Sequence, residues 1–163
     1  MSKKWLDEWL AEIYPSLIIY GRSLTHSLPE AEDLVQEAIY RFLLIYDTLD
    51  QQNHKGWLFR VMRNYYYDQQ RQQKSKHAFQ KQAQTELFTT EDPLKVLLQT
   101  KERDALYQAI HHLSNPYREV LVSFYFLDMS IQNIAALTGL RVNNIKVILY
   151  RGRKQMKEVL TDE

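Results

Sequence analysis

Apolar residues along this chain recur every three or four positions almost everywhere, and the every-second-residue alternation of a half-buried strand is absent. That spacing restricts the chain to helices that each bury one face. Only four Gly and four Pro interrupt the pattern, so long helices are expected. The periodicity predicts them at about 5–26, 30–50, 54–73, 94–113, 116–127, 131–138 and 143–160. Pro29 suits a first helical turn, and Glu30, Glu32 and Asp33 suit the positive end of that helix. Asn115, just before Pro116, and Ser130 read as N-caps.

Residues 74–93 break the pattern. Gln, Lys, Thr and Ser dominate there, and Thr89-Thr90-Glu91-Asp92-Pro93 reads as a stop. This linker divides the chain into a helical domain at 1–73 and a second at 94–163. The expected fold class is therefore all-α: two small helical domains joined by a linker, the C-terminal one containing a helix-turn-helix. An apolar content of 45% suffices for packed cores. With no cysteine, disulfides and thiolate metal sites are excluded, in keeping with a reducing cytosol. Met1–Lys4 is basic, but Asp7, Glu8 and Glu12 follow at once, so no signal peptide is expected. Apolar runs such as Phe42–Tyr46 are far too short to span a bilayer.

Charge is distributed unevenly. Residues 54–81 hold seven Lys or Arg and one acid, Asp68; residues 141–157 hold six Lys or Arg and no acid. Residues 5–50 hold nine acids against Arg22 and Arg41, although the whole chain carries only +1. Two separate surfaces for a polyanion and one acidic surface for another partner are implied.

The C-terminal basic stretch coincides with a motif. In residues 131–150, IQNIAALTGLRVNNIKVILY, Ala135, Gly139 and Ile145 take the small, turn and apolar positions of a helix-turn-helix, while Thr138 stands where an apolar residue is usual. At 100° per residue, Ile145, Ile148, Leu149, Gly152 and Met156 cluster on one side of the second helix. Lys146, Tyr150, Arg153, Lys154 and Lys157 fall on the other, flanked by Val147 and Arg151. Such a face suits the major groove of a duplex, against the plainer alternative of a solvated face on a bundle helix.

The N-terminal basic helix has a different character. In GWLFRVMRNYYYDQQR, residues 56–71, Leu58, Val61, Met62 and Tyr65 share the apolar face. Arg60, Arg63, Asn64, Tyr67 and Arg71 share the opposite one. Cations, an amide and a ring on one stripe suit unpaired DNA, whose phosphates, base edges and base faces they match. Trp57 and Tyr65 read as core or rim aromatics. In PEAEDLVQE, residues 29–37, Asp33, Gln36 and Glu37 form an acidic face that could be solvated, could bind a partner or could hold a metal. His26, His54, His77, His111 and His112 show no ligand spacing, so neither metal nor enzyme chemistry is expected.

PEAEDLVQEAIYRFLLIYD, then GWLFRVMRNYYYDQQR, then the helix-turn-helix segment together resemble a bacterial extracytoplasmic-function (ECF) sigma factor, over about residues 9–73 and 100–159. The resemblance implies that Asp33, Leu34, Gln36, Glu37 and Tyr40 dock on the β′ clamp of core RNA polymerase. It further implies that Arg60, Arg63, Asn64, Tyr67 and Arg71, with Asn53 in the preceding loop, meet the melted minus-ten element. Arg141, Asn143, Asn144, Lys146, Val147, Tyr150, Arg151, Arg153 and Lys154 would meet the duplex minus-thirty-five element, with the second domain near the β flap. Val147-Ile148 and Asn143-Asn144 replace the Ser-Arg and Gly-Thr pairs common in the family, and Tyr65-Tyr66-Tyr67 is unusual there. An anti-sigma protein, often membrane-bound, is the implied regulator of a cytoplasmic factor that inserts in no membrane and carries no cofactor. Linked weak sites gain affinity through effective concentration, so the free chain is expected to bind promoters poorly. Two rival readings remain: a helix-turn-helix regulator that dimerises or senses a ligand, and a helical adaptor that binds only protein.

Overall fold

The computed structural model describes residues 4–76 and 101–161. Within them the chain forms seven α-helices and two short 3-10 turns, with no strand. Helices α1 (Lys4–Thr25), α2 (Leu28–Ile45) and α3 (His54–Lys76) make the N-terminal half. Helices α4 (Lys101–His111), α5 (Tyr117–Phe126), α6 (Ile131–Thr138) and α7 (Val142–Thr161) make the C-terminal half. The all-α expectation holds. The residues expected as linker beyond Lys76, and the start of the helix expected from 94, lie outside the described residues. Helix α3 continues three residues past its expected end at 73, through Lys74, Ser75 and Lys76.

The helix expected at 30–50 is shifted and shorter. Ser27 caps its start, the hydroxyl accepting from the Glu30 N–H at 3.3 Å, with Pro29 in the first turn. It stops at Ile45, where the Thr48 hydroxyl donates to the Ile45 carbonyl at 2.7 Å. Turns Tyr46–Thr48 and Gln51–Asn53 then carry the chain into α3. Buried His54 closes this corner, its Nε2 lying 3.2 Å from the Tyr46 carbonyl. Phe42 is ringed by Trp9, Tyr46, His54 and Trp57, with centroids 4.9–5.9 Å away. Leu17, Ile18, Val35, Leu58 and Met62 complete the core of this half.

In the C-terminal half, α5 is central, with Val120, Leu121 and Val122 fully buried. Helix α7 lies so close to it that a Cβ on Gly152 would fall 2.6 Å from Leu121 Cδ1. Ser130 caps α6, its hydroxyl accepting from the Asn133 N–H at 3.0 Å. Gly139 ends α6 at φ +78°, the left-handed backbone that the tight turn into α7 requires. Thr138 fits because its hydroxyl donates to the Ile134 carbonyl at 2.8 Å and accepts from the Leu140 N–H at 3.2 Å. The N-cap position of α5 is Pro116, one residue later than expected, and Asn115 serves the helix start from just outside it, its side-chain oxygen accepting from the Glu119 N–H at 3.0 Å.

Because nothing crowds Gly139, its replacement tests backbone conformation alone. Gly139→Ala is expected to cost about 1 kcal/mol in urea unfolding. Gly56→Ala, at an equally open but helical position, is expected to stabilise by up to about 1 kcal/mol.

Candidate nucleic-acid and protein-binding faces

Helix α7 divides as its sequence predicts. Ile145, Leu149, Gly152 and Met156 are buried, whereas Lys146, Val147, Tyr150, Arg151, Arg153 and Lys154 are exposed, Tyr150 by 62%. Arg141, Asn143 and Asn144 stand exposed at its N-terminal end, where a helix entering a groove presents its first side chains. Arg153 does not float free. Its Nε donates to the Tyr125 hydroxyl at 2.6 Å, and its guanidinium lies 5.8 Å from the rings of Phe124 and Tyr125. Lys154 Nζ lies 5.8 Å from the Tyr150 ring. The result is a cationic stripe stiffened by aromatics of α5 and of α7 itself.

On α3, Arg60, Asn64 and Arg71 are exposed as expected, and Arg71 pairs with Asp68 one turn away. A shallow depression between Arg63, Asn64, Tyr67, Asp68 and Arg71 marks the stripe. Asn53, in the turn before α3, opens instead onto a cleft of about 590 Å³ shared with Lys55, Trp57 and Arg60. The opposite wall of that cleft comes from the C-terminal half: Leu127, Met129, Asn133 and Leu137. Arg63 departs from its neighbours. Its side chain is only 20% exposed, and it donates through Nε and Nη2 to both oxygens of Glu119, at 2.8 and 3.4 Å. The guanidinium also lies 4.6 Å from the Tyr67 ring centre. Burial works to lower its pKa, but the hydrogen bonds and charge of Glu119 outweigh burial and raise it.

Glu119 belongs to a junction between the halves that sequence reading did not identify. It is 1% exposed, and its carboxylate also accepts from the Tyr20 hydroxyl of α1. Beside it, Arg118, 6% exposed, reaches the C-terminal end of α1. Its Nε donates to the Ser23 carbonyl at 2.8 Å, Nη2 to the Leu24 carbonyl at 3.4 Å and Nη1 to the Leu113 carbonyl at 3.0 Å. Asn115 Nδ2 adds a bond to the Ser23 carbonyl at 3.3 Å. A cation and an amide from the C-terminal half thus satisfy carbonyls that the end of α1 leaves open. Only the identity of Arg118 and Glu119 as adjacent opposite charges was visible in sequence; nothing local signals their burial.

The acidic face of α2 is also formed. Asp33, Gln36 and Tyr40 are exposed, Tyr40 by 62%, and Glu37 is half-buried, paired with Arg41 at 2.7 Å. Leu34 is 6% exposed and lies at the floor of the groove between α2 and α3, which Tyr65, Tyr66 and Gln69 line from the other side. Sequence reading missed Leu43 and Leu44, which extend this face with 45% and 65% exposure; the apolar run Phe42–Tyr46 held the signal. Among the described residues no His, Asp and Glu gather as a metal site, and no helix is long and apolar enough to cross a membrane.

His111 supplies a titration test of the junction. Burial first, then the charges of Arg22, His26, Arg118 and His112, lower its pKa to about 3. The unfolded chain binds the proton near pH 6.5, so stability is retained above that pH and lost below it. A fully linked group loses about 1.4 kcal/mol per pH unit, and partial solvent access makes the loss here smaller. His26, whose pKa burial also lowers, adds in the same direction. His111→Gln is expected to flatten the fall in urea midpoint between pH 6.5 and 5.

Comparison with known proteins gives these faces a context. The model for Sigma-70 region 2 matches residues 10–76, and that for Sigma-70, region 4 matches residues 103–156. The chain is 26% identical over 151 residues to the ECF RNA polymerase sigma factor SigM of Bacillus subtilis (strain 168), covering 91% of this chain and 88% of SigM. It is 27% identical over 143 residues to the ECF RNA polymerase sigma factor SigW of the same organism, covering 82% of this chain and 76% of SigW. In three dimensions it resembles the sigma factor RpoE from Bartonella quintana, solved with the anti-sigma factor NepR, at a TM-score of 0.69 and 24% identity. That likeness covers 98% of both chains and concerns the fold.

Proposed function

We propose a division of labour among three faces for a chain that belongs to the sigma-70 family, as an ECF sigma factor built of regions 2 and 4. The protein directs core RNA polymerase to chosen promoters and assists initiation. In our reading residues 1–73 serve core polymerase and the minus-ten element, residues 94–163 serve the minus-thirty-five element, and 74–93 link them. The observation that carries this reading is a coincidence. Each family match contains one cationic helix, and the two helices differ in character as melted and duplex DNA would require.

On α7, Arg141, Asn143, Asn144, Lys146, Val147, Tyr150 and Arg151 face base edges near the first turns, and Arg153 and Lys154 face phosphates further along. Tyr125, by holding Arg153, fixes where that cation points. On α3, Arg60, Arg63 and Arg71 follow the backbone of the non-template strand, Asn64 and Asn53 meet base edges, and Tyr67 stacks on an unpaired base. Extruding a base costs a few kcal/mol per step, which stacking and phosphate contacts offset. Asp33, Gln36, Glu37 and Tyr40, with Leu34 beneath them, meet the β′ clamp; the exposed Leu43 and Leu44 give this face an apolar component. The C-terminal half meets the β flap.

The factor is a specificity subunit, not a catalyst, and works in the cytoplasm beside the polymerase. An anti-sigma protein controls it, as the complex of RpoE with NepR illustrates for a relative in fold.

Transcription from a cognate promoter with added core polymerase tests the duplex face. Arg151→Ala is expected to lower promoter-directed transcript and to weaken duplex binding by about 1–3 kcal/mol, as loss of a bidentate base contact does. Unchanged transcription removes Arg151 from the interface. For the acidic face, Asp33→Ala with Glu37→Ala is expected to lower capture by core polymerase in a pull-down. Full retention returns α2 to a merely solvated role.

A further inference from the structure

Between Arg141 and Arg151 every exposed residue but one carries a charged, amide or phenolic group. The exception is Val147, 45% exposed. At helical spacing Asn143 and Asn144 lie one turn before it and Tyr150 and Arg151 one turn after, so Val147 stands at the centre of the outward face of α7. Ile145 and Leu149, two residues away on either side, turn inward and are buried, so the core makes no call on Val147. Nor does the helix, since a β-branched residue favours it less than Ala or Lys does. What such a residue supplies is stiffness: in a helix its χ1 is held largely to one rotamer, which fixes where its two methyls point. Tyr150, the other exposed ring or chain with apolar surface here, is engaged by Lys154 Nζ at 5.8 Å from its ring. The major groove displays donors and acceptors on every base edge but only one kind of apolar group, the C5-methyl of thymine. One stiff aliphatic side chain at the centre of a polar reading face matches it.

We propose that Val147 is a specificity-determining residue that reads a pyrimidine C5-methyl group, so that the duplex element chosen by this chain carries a thymine where Val147 meets the groove. This rests on the reading of α7 as the duplex face. Uracil pairs as thymine does and lacks only the methyl, so it leaves the methyls of Val147 without an apolar partner. The polar residues around Val147 do not make this distinction, because thymine and uracil offer them the same O4 acceptor. 5-Methylcytosine carries the same methyl on an otherwise different edge, which separates the methyl from the rest of the base.

Holoenzyme assembled from the full chain and core polymerase provides the test. It first enriches duplexes from a pool randomised over ~40 base pairs, about four turns. The enriched duplex is then remade with deoxyuridine in place of each thymine in turn, and equilibrium binding is measured. At one position wild-type holoenzyme is expected to lose affinity about four-fold, the worth of burying one methyl-sized group. Holoenzyme with Val147→Ala is expected to bind the thymine duplex more weakly and to lose nothing further from deoxyuridine at that position. Because Ala favours a helix more than Val does, the variant chain is expected to keep or raise its urea midpoint, which separates a lost contact from a lost fold. With cytosine at the same position, 5-methylation is expected to raise the affinity of wild type and not that of Val147→Ala. If no deoxyuridine weakens wild type more than Val147→Ala, while Arg151→Ala still lowers transcription, the methyl reader is refuted and the duplex face stands. If wild type, Val147→Ala and Arg151→Ala bind the enriched duplex equally well, the reading of α7 as the duplex face fails, and the methyl reader with it.

Discussion

A carboxylate with almost no solvent access must find its donors in the protein, and among the described residues Glu119 finds them in the other half of the chain. Tyr20 of α1 and Arg63 of α3 converge on it, while its neighbour Arg118 turns to the carbonyls at the end of α1. Removing one partner of such a buried pair costs about 3–5 kcal/mol, since the other charge is left without compensation. Two adjacent residues of opposite sign therefore fix how α5 meets α1 and α3. Because α5 is also the central helix of its own half, the placement of α6 and α7 follows from the same contact.

The electrostatic plan is one of separation. The acids of α2 and the cations of α3 and α7 lie on different faces, so a chain of net charge +1 offers strongly charged surfaces without extreme overall charge. Arg63 is where the cations of α3 meet a buried acid of α5. It carries the charge suited to a phosphate and currently serves a carboxylate. The same guanidinium contributes to the contact between the halves and is largely withheld from solvent by it.

Helix positions, the turn at Gly139 and the division of α7 into apolar and cationic faces were legible in sequence, because each is written in local spacing. Periodicity names the face of a helix but not the helix that covers it. Arg63 and Glu119 are separated by 56 positions, and Tyr117-Arg118-Glu119-Val120 reads as an ordinary charged first turn. The acidic face was legible in Asp33, Gln36, Glu37 and Tyr40. Its apolar extension was signalled by the run Phe42–Tyr46, but the run alone does not say that Phe42 turns inward while Leu43 and Leu44 turn outward. Both ends of α2 were misplaced for a similar reason: a serine cap at its start and a histidine-closed corner after its end depend on contacts that spacing does not encode.

Helix α5 is ten residues long, about 15 Å at the usual rise. One end carries Arg118 and Glu119; the other carries Tyr125, on which Arg153 of α7 rests. The helix is thus a short connecting rod with an arginine of another helix fastened at each end. A displacement of α5 that parts Glu119 from Arg63 takes the mounting of Arg153 with it. The settings of the two cations, one on α3 and one on α7, are therefore mechanically coupled.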